Sequence, residues 1–205
     1  MLGLMSGQIQ GGGAGILDLL MKSAAHPSVN ICGIALDVLS NLVPLDPGFI
    51  IQLLEILQRR AIVPHIIVGG VPTILASDVC GVDFHEFESF RQNTLTDALQ
   101  ACFRQNAPYY INSCTSAIEE FCAAEPTVAV SFQLEAALYC MGAVSMEVMA
   151  SQKNEMKLEE VEASGRNHNL QLTRCLCALS TKPVCITANP LTLAQLNHFL
   201  RKVGW

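Results

Sequence analysis

The chain has 205 residues, 51% of them hydrophobic and 15% charged, a balance that supports a sizeable core and excludes intrinsic disorder, which combines low hydrophobicity with high net charge. Its 18 acidic and 12 basic residues give a formal charge of −6, a field that repels phosphate backbones and attracts basic partners, so no direct nucleic-acid binding is expected. Only 6% is aromatic, and the apolar residues are mostly Leu, Ile, Val, Ala, Met and Cys, which suits helix-on-helix packing and predicts an all-α fold.

Residues 1–15 read as a flexible Gly-rich lead. They carry no basic stretch before an apolar one, so no secretory leader is expected and the nine cysteines are expected as reduced, intracellular thiols. From Ile16 the chain reads as a helical-repeat domain to residue 205. Ile16, Leu19 and Leu20 open a first short helix that ends near Ala25. His26-Pro27-Ser28 restarts the chain with Pro27 at a first helical position, and Val29, Cys32, Leu36, Leu39 and Val43 then step by three and four along one helical face. Asp46-Pro47 supplies a cap and an N1 proline for a third helix, Ile50 to Arg60, expected antiparallel to the second because the connection is short.

Residues 61–82 form an irregular linker, either a short irregular hydrophobic segment or one weak helix. Asp83 caps a long helix to about Gln105, with Phe84, Phe87, Leu95, Ala98 and Cys102 on one side. Pro108 breaks the pattern before a helix from Tyr110 to Ala123, and a further helix runs from Val130 to Ala150. An acidic loop over residues 151–168 carries Glu155, Glu159, Glu160 and Glu162. Leu170 to Leu179 is helical, and Asn189-Pro190 caps a last helix through Leu193, Leu196, Leu200 and Val203. No segment suits a bilayer: Ala61 to Leu75 is interrupted by glycines and prolines and falls short of the roughly 20 apolar residues required. Phe132 to Ala150 contains Glu135 and Glu147, each costing about 3 kcal/mol at a bilayer centre. Antiparallel pairs restarting at proline-marked points about 40 to 50 residues apart fit an α-solenoid of degenerate HEAT-type helical-hairpin repeats.

Catalytic arrangements are not expected. The glycine run Gly11 to Gly15 lacks the Gly-Lys-Ser/Thr of a phosphate loop, no His-Glu-x-x-His helix or Gly-x-Ser-x-Gly elbow occurs, and no Cys-x-x-Cys pair is present. Cys175 and Cys177 point about 200° apart on a helix, whereas Cys32, Cys102 and Cys140 fall on apolar stripes as small hydrophobes. The reading is a protein that is not an enzyme and holds no cofactor or metal. Asp83, Glu86, Glu88, Glu119 and Glu120, clustered in sequence around two helices, are candidates for an acidic surface that faces basic cargo.

Three local patterns carry a resemblance. His26-Pro27-Ser28 introduces the helix from Val29 to Leu42; Asp83-Phe84-His85-Glu86-Phe87, with Arg91 behind it, opens a long helix after an irregular linker; and Glu135-Ala136-Ala137-Leu138 follows on a later helix. In this order they resemble the central repeats of the importin-β superfamily of nuclear transport receptors, in its transportin and exportin branch. Phe132 stands where a tryptophan is frequent, and Arg91 is displaced from the second phenylalanine by Glu88-Ser89-Phe90. The resemblance implies a transport-receptor segment that binds protein or RNA–protein cargo, the small GTPase Ran in its GTP form, and nucleoporins, and that shuttles between nucleus and cytoplasm. The alternative is a HEAT-repeat scaffold or regulatory subunit outside transport.

Overall fold

A computed structural model of the chain describes residues 13–42, 46–68, 71–74, 84–125, 127–148, 194, 196–198 and 201. The described residues are helical apart from one short β-ribbon. The elements are α1 (Gly13–Ala24), α2 (Val29–Asn41), α3 (Pro47–Arg60), β1 (His65–Val68), β2 (Val71–Ile74), α4 (Phe84–Phe90), a π-helical turn (Arg91–Leu95), α5 (Thr96–Gln105), α6 (Ala107–Ala123) and α7 (Val128–Ala143). Residues 145–148 add a further helical turn, and residues 194, 196–198 and 201, within the expected last helix, are helical too, with Leu196 packed against the core.

Local chemistry sets most of these boundaries. Asp46 caps α3 as expected, its Oδ1 accepting from the Gly48 N–H at 2.8 Å with Pro47 in the first turn. Asn106 and Thr127 cap α6 and α7 in the same way, accepting from the N–H groups of Tyr109 and Val130 at 3.2 Å each. Pro108 therefore lies inside the first turn of α6 and does not break it, because its missing N–H would have had no helical partner there. Pro27 is the reverse case. It precedes the α2 cap position Ser28, whose N–H donates to His26 Nδ1 at 3.1 Å, and its carbonyl accepts from Arg60 Nη2 at 3.0 Å.

Three further expectations change. The helix of α1 begins at Gly13, so the last three residues of the predicted lead are helical; packing of Leu17, Leu20, Met21 and Ala24 on the core offsets the weak propensity of Gly13 and Gly15. The linker 61–82 holds an antiparallel ribbon with Val68 opposite Val71 and His65 opposite Ile74, rather than a weak helix. The β-branched residues Ile66, Ile67, Val68, Val71, Thr73 and Ile74 favour strands, and the two residues between the paired valines are Gly69-Gly70, the composition that suits a two-residue hairpin. Pro72 is tolerated because each strand of a two-stranded ribbon is an edge. Finally, α7 ends at Ala143, where a turn at Val144 separates it from residues 145–148.

Packing centres on α5, which contacts α2, α3, α6 and α7. The main partners of α3 are α5 and α7 rather than α2, so the short α2–α3 connection does not make these two the principal pair. Tight pairs form instead between α1 and α2 and between α6 and α7. The second is antiparallel: the Tyr110 hydroxyl near the start of α6 donates to the Cys140 carbonyl near the end of α7 at 2.6 Å. One apolar cluster runs from Met21 to Val148 through Leu36, Leu54, Leu99, Ile118 and Leu134. The buried thiols at Cys32, Cys102 and Cys140 belong to it, as the apolar stripes predict.

Gly15 gives a test of the unexpected start of α1. A Cβ there meets nothing within 4 Å, and the position is helical. Gly15→Ala is expected to stabilise the fold by about 0.5–1 kcal/mol, read from the urea midpoint, through the lower entropy of the unfolded chain and better helix propensity.

Candidate protein-binding surface

The segment α4–π–α5 lies alongside α7 and the helical turn that follows it, and four polar bridges join them at a nearly constant spacing. Arg91 pairs with Glu135 44 residues on. Thr96 contacts Tyr139, Gln100 donates to the Ala143 carbonyl, and Arg104 pairs with Glu147, each 43 residues on, at 2.8, 3.2 and 2.9 Å. The bridges advance in the same order along both helices, so the helices run parallel. The single change of spacing falls at the π-turn: the five-residue step from Arg91 to Thr96 matches the four-residue step from Glu135 to Tyr139, which keeps both pairs in register.

Arg91 is the most buried cation in these bridges. Its Nη2 donates to both Glu135 carboxylate oxygens at 2.9 Å, and the side chains are only 11% and 3% exposed. The guanidinium carbon lies 4.0 Å from the centroid of the Tyr139 ring, a cation–π contact one helical turn past Glu135. The Arg91 carbonyl receives the Tyr139 hydroxyl and lies 2.9 Å from Thr96 Oγ1, so two hydroxyl protons serve three oxygen contacts. Burial raises the Glu135 pKa; Arg91 pulls it down without reversing the shift.

Two concavities flank this framework. A groove of about 530 Å³ runs between α2 and α4–π, with Asn30, Asp37, Glu86, Ser89 and Asn93 at its walls and Phe90 beneath. A tighter cleft of about 230 Å³ lies among α3, α6 and α7; Ile62, Ala117, Phe121, Ala136 and Ala137 supply its apolar wall, with Glu55, Gln58 and Arg59 at the rim. Gln58 Nε2 donates to Ser113 Oγ at 3.2 Å and ties α3 to α6. The volume of this cleft is below the usual range for small-molecule and cofactor pockets.

The predicted acidic residues divide between these elements. Glu86 is exposed at the α2–α4 groove, which Asp37, missed by sequence reasoning, also lines. Glu88 is exposed on α4 and accepts from Gln92 at 3.4 Å; Glu120 is exposed and Glu119 half-buried on α6; Asp83 lies outside the described residues. α4 packs on α2, whereas α6 packs on α7 and α5. Burial pushes the Cys102 thiol up to about 12 and raises that of Cys140 well above its usual value, which disfavours the thiolate at both, while Cys32 Sγ donates to the Ala24 carbonyl at 3.0 Å. Cys175, Cys177 and the loop 151–168 lie outside the described residues. No group of three or more potential metal ligands occurs among the described residues, and no helix there is long and apolar enough to cross a membrane.

The framework pair was the residue set that sequence reasoning left unassigned, although Glu135 amid sixteen otherwise uncharged residues was the available signal. Compared with models of known protein families, with curated proteins and with solved structures, the chain matches none.

Removing one partner of the pair strands a buried charge, so Glu135→Leu or Arg91→Met alone is expected to cost about 3–5 kcal/mol, with the double substitution recovering most of the loss in a urea-unfolding cycle. The pH dependence has a defined sign. The folded Glu135 carboxyl holds its proton to higher pH than the unfolded one. Its contribution is therefore fully present below the unfolded value of about 4.3 and declines as pH rises through the folded value. Stability measured against Glu135→Gln is expected to show this decline.

Proposed function

We propose that this chain is a segment of a HEAT-type α-solenoid that works as a nuclear transport receptor of the importin-β superfamily. The observation that carries the reading is the parallel register between α4–α5 and α7. A bridge spacing of 43 residues falls within the period of about 40 to 47 residues that defines HEAT and armadillo repeats. In this reading α1/α2, α3/α4–α5 and α6/α7 are three successive hairpins, their second helices forming the row α2, α5, α7, and the β-ribbon is an insertion within the middle repeat. The contacts of α2 with α5, and of α5 with α7, support that order. The Arg91–Glu135 bridge also joins two of the sequence patterns on which the family resemblance rests.

Such a stack acts by binding rather than by chemistry. Its repeats shift slightly against one another, and ligands that prefer different curvatures displace each other. The acidic α2–α4 groove supplies a surface for basic protein cargo, with Glu86 at its edge, and the α3–α6–α7 cleft accepts a single apolar side chain of a partner such as a nucleoporin. Ran-GTP is the expected regulator, and the protein shuttles between nucleus and cytoplasm.

A pull-down from nuclear extract, with and without Ran bearing non-hydrolysable GTP, tests the reading. Cargo or nucleoporins that are retained and shifted by Ran-GTP are expected; a partner set indifferent to Ran would sink the transport reading and leave a scaffold. Separately, substituting Glu86, Glu88, Glu119 and Glu120 with Gln is expected to weaken retention of a lysine-rich peptide at low salt, and this loss should shrink as ionic strength rises.

A further inference from the structure

Gly33 is the fifth of the thirteen residues of α2, well inside the helix, where glycine is the least favourable residue apart from proline. The described packing does not require it. A Cβ at this position meets only the edge of the Phe90 ring, at 4.0 Å, which is ordinary van der Waals contact, so an alanine fits. The space a larger side chain would fill belongs to the α2–α4 groove, which Gly33 lines. That groove carries charge of one sign. Asp37 stands on its α2 wall and Glu86 on its α4 wall, both exposed, and no Lys or Arg lines it. Among the described residues neither carboxylate belongs to an ion pair. The other titratable group in the lining is His85, and the apolar part is Ile34, 69% exposed, with Phe90 buried beneath.

We propose that Gly33 sets the depth of this groove and admits a lysine or arginine side chain of a basic protein segment against the α2 backbone. The methylene stem lies along Ile34 and Phe90, and the cation is held by the carboxylates of the two walls. This rests on the reading of the groove as a surface for basic cargo, and adds which side chain it recognises and which residue makes the room. A long basic side chain matches both components of the lining, because its stem covers apolar surface while its head stays with charge and water. The groove's volume of about 530 Å³ accommodates it. The competing occupants match less of the site. A divalent cation would use the carboxylates but neither Gly33 nor Ile34, and an apolar side chain would bring no partner to Asp37 and Glu86. Close approach to a helix backbone is what a glycine permits and any other residue restricts.

Titration of the whole chain with a fluorescently labelled oligolysine peptide at low salt, read by anisotropy, tests this. Gly33→Leu fills the groove without altering any charge, so it is expected to weaken binding by about tenfold or more through direct overlap with the peptide. Gly33→Ala, which the fold accommodates, is expected to raise the urea midpoint and yet weaken binding by about two- to threefold, a combination that a merely structural glycine does not give. Asp37→Asn is expected to cost about two- to fivefold, an effect that fades as salt is added. Oligolysine affinity unchanged in both Gly33 variants overturns the proposal and leaves the cargo surface standing. A wild-type chain that does not bind oligolysine overturns both.

Discussion

The structure depends on a charge held where charge is costly. Taking a guanidinium and a carboxylate out of water carries a penalty of several kcal/mol per ion, which a single contact offsets only when the geometry is good. Here Arg91 reaches both Glu135 oxygens and also lies on the Tyr139 ring. An apolar pair of the same volume would pack as well, so the pair's role is better understood as selecting a register than as adding stability. Apolar helices slide past each other at little cost; a slip of one turn here would leave both ions buried and unpaired.

The π-turn follows from the same constraint. α4 and α5 could form one regular helix, since Phe90, Leu95 and Thr96 all have right-handed helical dihedrals. An unbroken α-helix would set a four-residue step against the four-residue step from Glu135 to Tyr139, and Arg91 and Thr96 would then not both meet their partners. One extra residue, accommodated between Arg91 and Leu95, lets the ion pair and the hydroxyl cluster coexist. Below it, the Gln100 and Arg104 bridges continue at the regular spacing and carry the register to the end of α5.

Much of this was legible in the sequence where one residue's chemistry decides the outcome. Caps such as Asp46, apolar stripes such as Phe87 to Cys102, and the buried cysteines followed from local rules. Errors arose where two rules competed. Pro108 was read as a breaker although the first helical turn tolerates it, and the ribbon was missed because Pro64, Pro72 and the glycines hid a β-branched pattern. The grooves were hidden for another reason: Asp37 and Glu86 are 49 residues apart, and only the packing of α2 on α4 brings them to one groove. No period in the chain announces that neighbourhood.

The two concavities differ in how they relate to the framework. Both walls of the α2–α4 groove belong to α2 and to the α4–π segment, with no residue of α6 or α7 in its lining. The α3–α6–α7 cleft straddles it: one wall belongs to α3, which packs on α5, and the other belongs to the pair that α7 carries. The cleft's shape therefore depends on how α6 and α7 sit against α3. A ligand inserted there would touch both α3 and the α6/α7 pair, and it could bias their relative placement only through a difference in affinity between two arrangements.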